Sequence, residues 1–381
     1  MEKREIGRDR AERMVIGNGS PIGLLDCADR PQVCAREALI CGLGLMVASD
    51  PEGAEIHRRS LQTLRGGQSR LGNIARSVAA PNGAPVTDTI HAGCIDNSLW
   101  YIIGNYYTWK LDGNQERLAE FWPSLVRAYT WLDYQDANEC GLLEVHEAMD
   151  WVGQADYYNS LGPNVLWFAA QKCMSAMAGA LGQDNSFWEV RAEDVRYKLN
   201  TLLWVGPEFQ RNYYLPYMAL RGWADRFDSF GNLTAVLFGA ASKTQSDLIF
   251  DYITRTGIDQ PWPVRAIEPV VHPGAKDWRD YCHLPHQQQN GGAWPFLGGL
   301  YVAALVKAGR LQEAEHQLDR LAEMNRQSRY GAEWEFNEWF HGVSGRPSGE
   351  AQRSWSAAMY IFAHECVRRG EVPVFSRGNG W

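Results

Sequence analysis

One unit recurs along the chain: a helix apolar on nearly every face, a short turn, an amphipathic helix, then a long loop. The stretch GLYVAALVKAG has scarcely a polar position, whereas LQEAEHQLDRLAEMN, close behind it, is apolar on one side only. A helix apolar all round is buried, and an amphipathic one covers it. The pattern predicts such pairs at 32–49 with 52–65, 96–111 with 115–137, 164–181 with 185–204, 233–241 with 246–256, and 293–308 with 311–327. Stop-and-restart signals separate several partners, among them Asp50-Pro51, Asp112-Gly113-Asn114 and Gly309-Arg310. A last helix is expected over 350–369, and 9–15 supplies part of a twelfth. Inner and outer helices alternating through short turns predict an all-α fold, a closed (α/α)6 barrel, with 1–381 as a single domain. The other arrangement of such hairpins is an open solenoid, whose signature would be a fixed repeat period; none is visible.

Between the pairs lie long loops, at about 66–95, 138–163, 205–231, 257–292 and 328–349. Loops of this length in a compact domain are usually functional. In a ring of hairpins they gather at one end, so the site is expected there.

Composition narrows the function classes. A net charge of -8 over 381 residues, with a sequence pI near 5.7, argues against a nucleic-acid partner. The charged start MEKREIGRDRAERMV has no apolar core of a signal peptide, and no apolar run reaches membrane-spanning length, so a cytoplasmic protein without a membrane partner is expected. The eight cysteines are scattered, with no CxxC pair, and read as free thiols rather than a zinc site. Trp, Tyr and Phe number 16, 16 and 13. Aromatic faces stack on sugar rings but also fill cores, so this count alone decides nothing.

Five segments carry candidate chemistry. EVHEAMDWVGQADYY holds Glu144, Glu147, Asp150 and Asp156, and Asp150 stands against Trp151. A carboxyl on an aromatic wall loses solvation, which raises its pKa and suits it to donate a proton; the plainer reading is a solvated acidic loop. WEFNEWFHGVSGRP holds Glu335, Glu338 and His341 among large aromatics, with outward-facing charges as its plainer reading. Two separated carboxylates suit glycoside hydrolysis, one protonating the leaving oxygen and one activating water. PHQQQNGGAWPFLGGLY offers amides at Gln287 to Asn290, a flexible Gly291-Gly292, and Pro295 in a first helical turn; it reads either as a sugar contact or as a polar cap. Arg36 in CAREALICGLG lies inside an apolar helix and needs a partner, in an ion pair or a pocket. Asp96 in HAGCIDNSLWYIIGNYY is an N-cap or a hydroxyl-binding acid at the barrel mouth.

In this order, spread over about residues 33–360, the segments resemble the (α/α)6 glycosidases of the glycogen-debranching, family 63 and family 100 type. Arg36-Glu37 resembles the family's Arg-Asp pair, and RGGQSRLGNI its glycine-rich loop. Asp96-Asn97-Ser98-Leu99-Trp100 resembles its D-x-S/A-L-W helix start, and Ala148-Met149-Asp150-Trp151 its general-acid segment. Asn290-Gly291-Gly292-Ala293-Trp294-Pro295 is similar to its NGG-x-W-P start. Glu338-Trp339-Phe340-His341-Gly342-Val343-Ser344-Gly345 resembles its general-base segment, and Gln352-Arg353-Ser354-Trp355-Ser356-Ala357 its closing Q-x-W-S-A. Glu37 stands where the pattern has Asp, and His341 where invertases have Asp. No extra β domain of the kind many relatives carry is expected.

The resemblance implies an inverting glycoside hydrolase acting on a small carbohydrate, without metal or organic cofactor. Asp150 is the expected general acid and Glu338 the general base, with Glu147 and Glu335 as their rivals. Arg36, Asp96, Gln287, Asn290 and Trp294 are expected to hold the sugar, with Trp151, Trp339 and Trp355 as walls and Glu335 nearby. An α-glucoside is the expected substrate, with an α-mannoside or sucrose as alternatives. Two other classes remain: a sugar 2-epimerase, for which His283, His286 and His341 supply proton carriers, and a carbohydrate-binding protein without turnover.

Overall fold

A computed structural model describes residues 2–27, 31–79, 86–87, 94–145, 151, 159–209, 211–219, 222–275, 283–376 and 381. Twelve α-helices lie among them. They are α1 (Glu2–Gly17), α2 (Ala35–Leu45), α3 (Pro51–Gly66), α4 (Ile95–Asp112), α5 (Gln115–Asp133) and α6 (Leu161–Ala180). The rest are α7 (Ser186–Lys198), α8 (Ser229–Leu237), α9 (Lys243–Thr256), α10 (Pro295–Ala308), α11 (Leu311–Arg326) and α12 (Ser354–Arg369). The even-numbered helices touch in the order α2, α4, α6, α8, α10, α12 and back to α2, which closes the inner ring. Their sequences demand this: every residue of α10 from Pro295 to Val306 is buried, and α6 is nearly as enclosed. The odd-numbered helices lie outside, and α3, α5 and α11 each turn one apolar face inward. None of the helices is long and apolar enough to cross a membrane.

The last seat in the ring is the tightest. A Cβ on Gly44 of α2 would stand 1.9 Å from the Ala358 carbonyl oxygen of α12, and one on Gly299 of α10 2.6 Å from that of Met359. Helix α12 is therefore held between α2 and α10 by backbone-to-backbone approach that only glycine permits. Behind it, α1 supplies the twelfth helix and runs well beyond the expected 9–15. Its inward ridge is the narrow series Gly7, Ala11, Val15, and Arg4 and Lys3 pair with Asp319 and Glu323 of α11. So polar an exterior hid most of this helix from a hydrophobic-pattern reading.

Several inner helices begin at other points than the pattern predicts, because the loops before them are engaged. Gln32–Cys34 is a strand paired with Ser77–Ala79, so α2 starts at Ala35. The Asp228 side chain accepts the N–H groups of Phe230 and Gly231, which starts α8 at Ser229. Residues 350–353 stay outside α12, with Gln352 at φ +56°. Short strands lace the loops at this end, with Phe227–Asp228 paired to Ile267–Glu268 and Trp339–Phe340 to Pro347–Ser348. The seven described cysteines are free.

Replacing Gly44 with Ala is expected to destabilise the fold by about 1–3 kcal/mol through overpacking. This runs against the gain of up to about 1 kcal/mol that Ala brings to a helix. Gly66→Ala, where an added Cβ meets nothing within 4 Å, is expected to be neutral or stabilising; paired denaturant melts decide the sign. A second expectation concerns His57 on α3, fully buried against Gly42. Burial first, then Arg117 and Arg58, push its pKa down to about 3. The unfolded chain binds this proton more readily, so the contribution is complete above the unfolded value of about 6.5 and is lost at about 1.4 kcal/mol per pH unit below it. His57→Leu should remove that slope from the pH dependence of unfolding between these two values.

Candidate active site

The loop end of the ring carries an aromatic floor built from the starts of three inner helices. Phe230 comes from α8, Trp294 and Phe296 from the start of α10, and Trp355 from α12, while Trp151 enters from the loop before α6. Phe296 and Trp355 stack at 4.5 Å and 12°, and Trp294 stands edge-on to Trp355 at 5.4 Å. Trp151 meets Phe296, Trp294 and Phe230 at 5.2, 5.6 and 5.8 Å. Trp294 is oriented by its indole N–H, which donates to the Gln288 carbonyl. The buried indole N–H groups of Trp151 and Trp355 have no acceptor among the described residues, an open demand that a hydroxylated ligand can meet.

One wall is charged. Arg36 in the first turn of α2 ion-pairs with Asp96 in the first turn of α4, engaging Oδ2. Asp96 Oδ1 is buried without a protein hydrogen-bond partner among the described residues. Burial raises the Asp96 pKa and the Arg36 charge opposes the rise. Asp96 is not the helix cap; Cys94 holds that position.

A second wall is the 334–353 segment, which leads into α12 beside α2. Trp334 and Phe336 have φ of +65° and +47°, a left-handed conformation that bulky residues adopt only when their surroundings impose it. Glu335 between them is 6% exposed and imposes part of it. Its carboxylate accepts the N–H groups of Arg329 at 2.6 Å and Tyr330 at 3.1 Å, and its backbone carbonyl accepts Gln352 N–H. Glu335 thus spends its carboxylate on backbone N–H groups of its own loop. Three residues on, Glu338 keeps 21% of its side chain exposed. Its Oε2 accepts the Glu350 N–H at 3.2 Å, and its Oε1 lies 3.4 Å from Arg353 Nη2.

Arg353, only 3% exposed, organises this wall. It meets Asp26 at 2.5 Å and Glu350 at 2.8 Å as well as Glu338, and its guanidinium lies over the Trp355 ring at 5.5 Å. Burial works against its charge, but Asp26, Glu338, Glu37 and Glu350 outweigh that and raise its pKa. Sequence reasoning quoted Arg353 only as part of QRSWSA and missed Asp26. The available signal was a lone cation directly before an apolar helix.

The NGG motif and the Glu338 segment meet. A Cβ on Gly342 would lie 1.9 Å from the Gly291 carbonyl oxygen, and Ala293 and Phe340 exchange both backbone hydrogen bonds. Asn290 is fully buried, and its amide bonds the Val271 N–H and the carbonyls of Val271 and His283. The amide is thus spent on backbone groups of neighbouring loop residues. Gln287 is half-buried beside it, and Gln289 donates to the Trp151 carbonyl at 3.4 Å. Trp339 is half-buried on its strand beside Gly349 and makes no ring contact with the floor among the described residues. His341 Nδ1 accepts the N–H groups of Val343 and Ser344, so its ring caps a turn. Asp150 and Glu147 lie outside the described residues.

Residues 186–370 match the family described as alkaline and neutral invertase, glycoside hydrolase 100. This span includes the NGG motif, Glu338 and Arg353 but not Arg36, Asp96 or Asp150. A probable alkaline/neutral invertase D of Arabidopsis thaliana is 33% identical over 153 residues, covering 36% of this chain and 26% of that protein. Cytosolic invertase 1 of Oryza sativa subsp. japonica is 32% identical over 153 residues, covering 36% and 25%. The matches thus span about a quarter of the length of these curated relatives. In fold, the chain is similar to the family 63 mannosylglycerate hydrolase of Thermus thermophilus, with a TM-score of 0.74 at 16% identity over 93% of this chain and 98% of that one. Closed ring and structural likeness agree on an (α/α)6 barrel fold, and within it residues 186–370 match the alkaline and neutral invertase family.

Proposed function

We propose that this chain is an inverting glycoside hydrolase, a single catalytic domain that cleaves a small α-linked glycoside with Asp150 as general acid and Glu338 as general base. The observation that carries the reading is the contrast between two neighbouring carboxylates. Glu335 is saturated by its own loop, whereas Glu338 stays partly open, held by one backbone N–H and Arg353 on the wall above an aromatic floor. A base must be fixed in position yet keep room for the water it activates. Trp151 is set into that floor and adjoins Asp150 in sequence, which supports choosing Asp150 as the acid.

In the proposed reaction the Asp150 carboxyl protonates the glycosidic oxygen as the bond to the anomeric carbon breaks. Glu338 takes a proton from water, which attacks the opposite face and inverts the centre. This requires the two carboxyl groups about 6.5–9.5 Å apart. The ring face would stack on Trp294 or Trp355, and Arg36 with Asp96 would hold a pair of hydroxyls. Among substrates an α-glucoside comes first, then an α-mannoside and sucrose. The proposed setting is cytoplasmic, in keeping with free cysteines. A 2-epimerase is less well supported, since Nδ1 of His341 is already engaged by its turn.

The test is sugar release from a panel of α-glucosides, α-mannosides and sucrose, with the anomer followed by NMR. The wild type should release a sugar of inverted configuration. Asp150→Asn and Glu338→Gln should each lower kcat by about 10²–10⁴-fold. Glu335→Gln should keep the inverted product and most of the turnover while lowering stability by about 1–3 kcal/mol. Full activity in Asp150→Asn or Glu338→Gln would refute the assignment, and an epimer in place of released sugar would replace the reaction class.

A further inference from the structure

The wall that carries Glu338 does not stand on the ring alone. Both ends of the 334–353 segment are fastened to residues near the start of the chain. At one end the Trp334 ring lies against Gly7 of α1, where an added Cβ would stand 2.7 Å from it. At the other end, residues 18–26 hold the corner 352–354. The Asn18 amide donates to the Gln352 carbonyl at 3.1 Å and to the Ser354 hydroxyl at 2.9 Å. That hydroxyl donates to the Leu25 carbonyl at 2.7 Å, and the Ser354 N–H donates to the Asp26 carbonyl at 3.1 Å. The Leu25 N–H donates back to the Asn18 carbonyl at 3.0 Å, which ties the two ends of the clamp together. Gln352, at φ +56°, is the left-handed residue of the corner, a conformation that persists where its surroundings impose it.

Arg353 lies inside this corner. Its Nη1 is shared by Asp26 at 2.5 Å and Glu350 at 2.8 Å, which leaves Nη2 to meet Glu338 at 3.4 Å. Among the described residues the Glu338 carboxylate has two partners, the Glu350 N–H and Arg353. Both belong to the stretch 350–353 that leads into the clamped corner. A buried guanidinium that loses one carboxylate is drawn toward those that remain, so the Asp26 contact governs how closely Arg353 approaches Glu338. We propose that Asn18 and Asp26 are positioning residues for the general base: through Ser354 and Arg353 they set where the Glu338 carboxylate stands relative to the attacking water. The proposal rests on Glu338 being that base. It gives the start of the chain a part in turnover, beyond covering the outside of the ring.

The test is steady-state kinetics on the substrate that the wild-type chain turns over, with a melting curve for each variant. Asp26→Asn and Asn18→Ala should each lower kcat by about tenfold or more, toward the ~10²-fold that a 1 Å misplacement costs. Their KM should stay within about threefold of wild type, since substrate binding is not what they control. Arg4→Ala removes the ion pair of α1 with Asp319 and should keep kcat, which separates a loosened helix from a displaced corner. A double-mutant cycle decides the route of the effect. With the base already removed in Glu338→Gln, adding Asp26→Asn should lower kcat no further; Asn18→Ala serves in the same cycle if Asp26→Asn does not fold. Unchanged kcat in a folded Asp26→Asn or Asn18→Ala, or losses that simply multiply with that of Glu338→Gln, would overturn the proposal and leave the base assignment standing. Full turnover in Glu338→Gln, or none in the wild type, would overturn the base assignment and this proposal with it.

Discussion

Helix α12 sits between α2 and α10 at a distance that leaves no room for a side chain at Gly44 or Gly299. The rest of the ring depends on that fit. Six helices without a polar face have nowhere to put a free edge, and an arc of five would expose two apolar flanks to water. Closing the arc buries both, but only if the sixth helix enters a gap narrower than two ordinary helices need. Glycine at the two contacts supplies the missing space, and α1 then seals the outside of the same seat.

Closure has a directional consequence. Each hairpin passes inward, turns and returns outside, so the starts of the inner helices collect at one end with the long loops that lead to them. First-turn residues far apart in sequence become neighbours there: Arg36 with Asp96, Phe296 with Trp355. The mouth therefore inherits two characters, an aromatic floor from helices that must be apolar and charged walls from the loops just before them. Arg353 stands at the junction, its guanidinium over an indole and its nitrogens shared among Asp26, Glu338 and Glu350. Losing one partner from a buried pair of this kind costs about 3–5 kcal/mol, so the wall near Glu338 is held stiffly.

Local conformation is least relaxed in the same place. His286, Gln288, Trp334 and Phe336 all have positive φ, and the two loops that contain them are joined by the approach of Gly342 to Gly291. Such backbone persists because Asn290 and Glu335, both deeply buried, spend their side chains on backbone groups of these loops. Both side chains thus serve as scaffolding, beside Glu338 and its proposed part.

The periodicity of apolar residues by itself determined the helical class, the inner and outer assignment of the pairs and the end at which the loops gather, because burial of an all-apolar helix is required by its composition alone. Most of α1 escaped that reading, since its inward ridge is Gly7, Ala11 and Val15 within a polar sequence. Motif order likewise brought out Glu338, Trp294 and Trp355 as one neighbourhood. Which carboxylate is open and which is saturated was decided only in three dimensions: Glu335 and Glu338 are alike as letters, and the difference lies in which backbone N–H groups a left-handed bend delivers to each. The same holds for Arg353, whose meeting with Asp26 across most of the chain follows from ring closure and from nothing local.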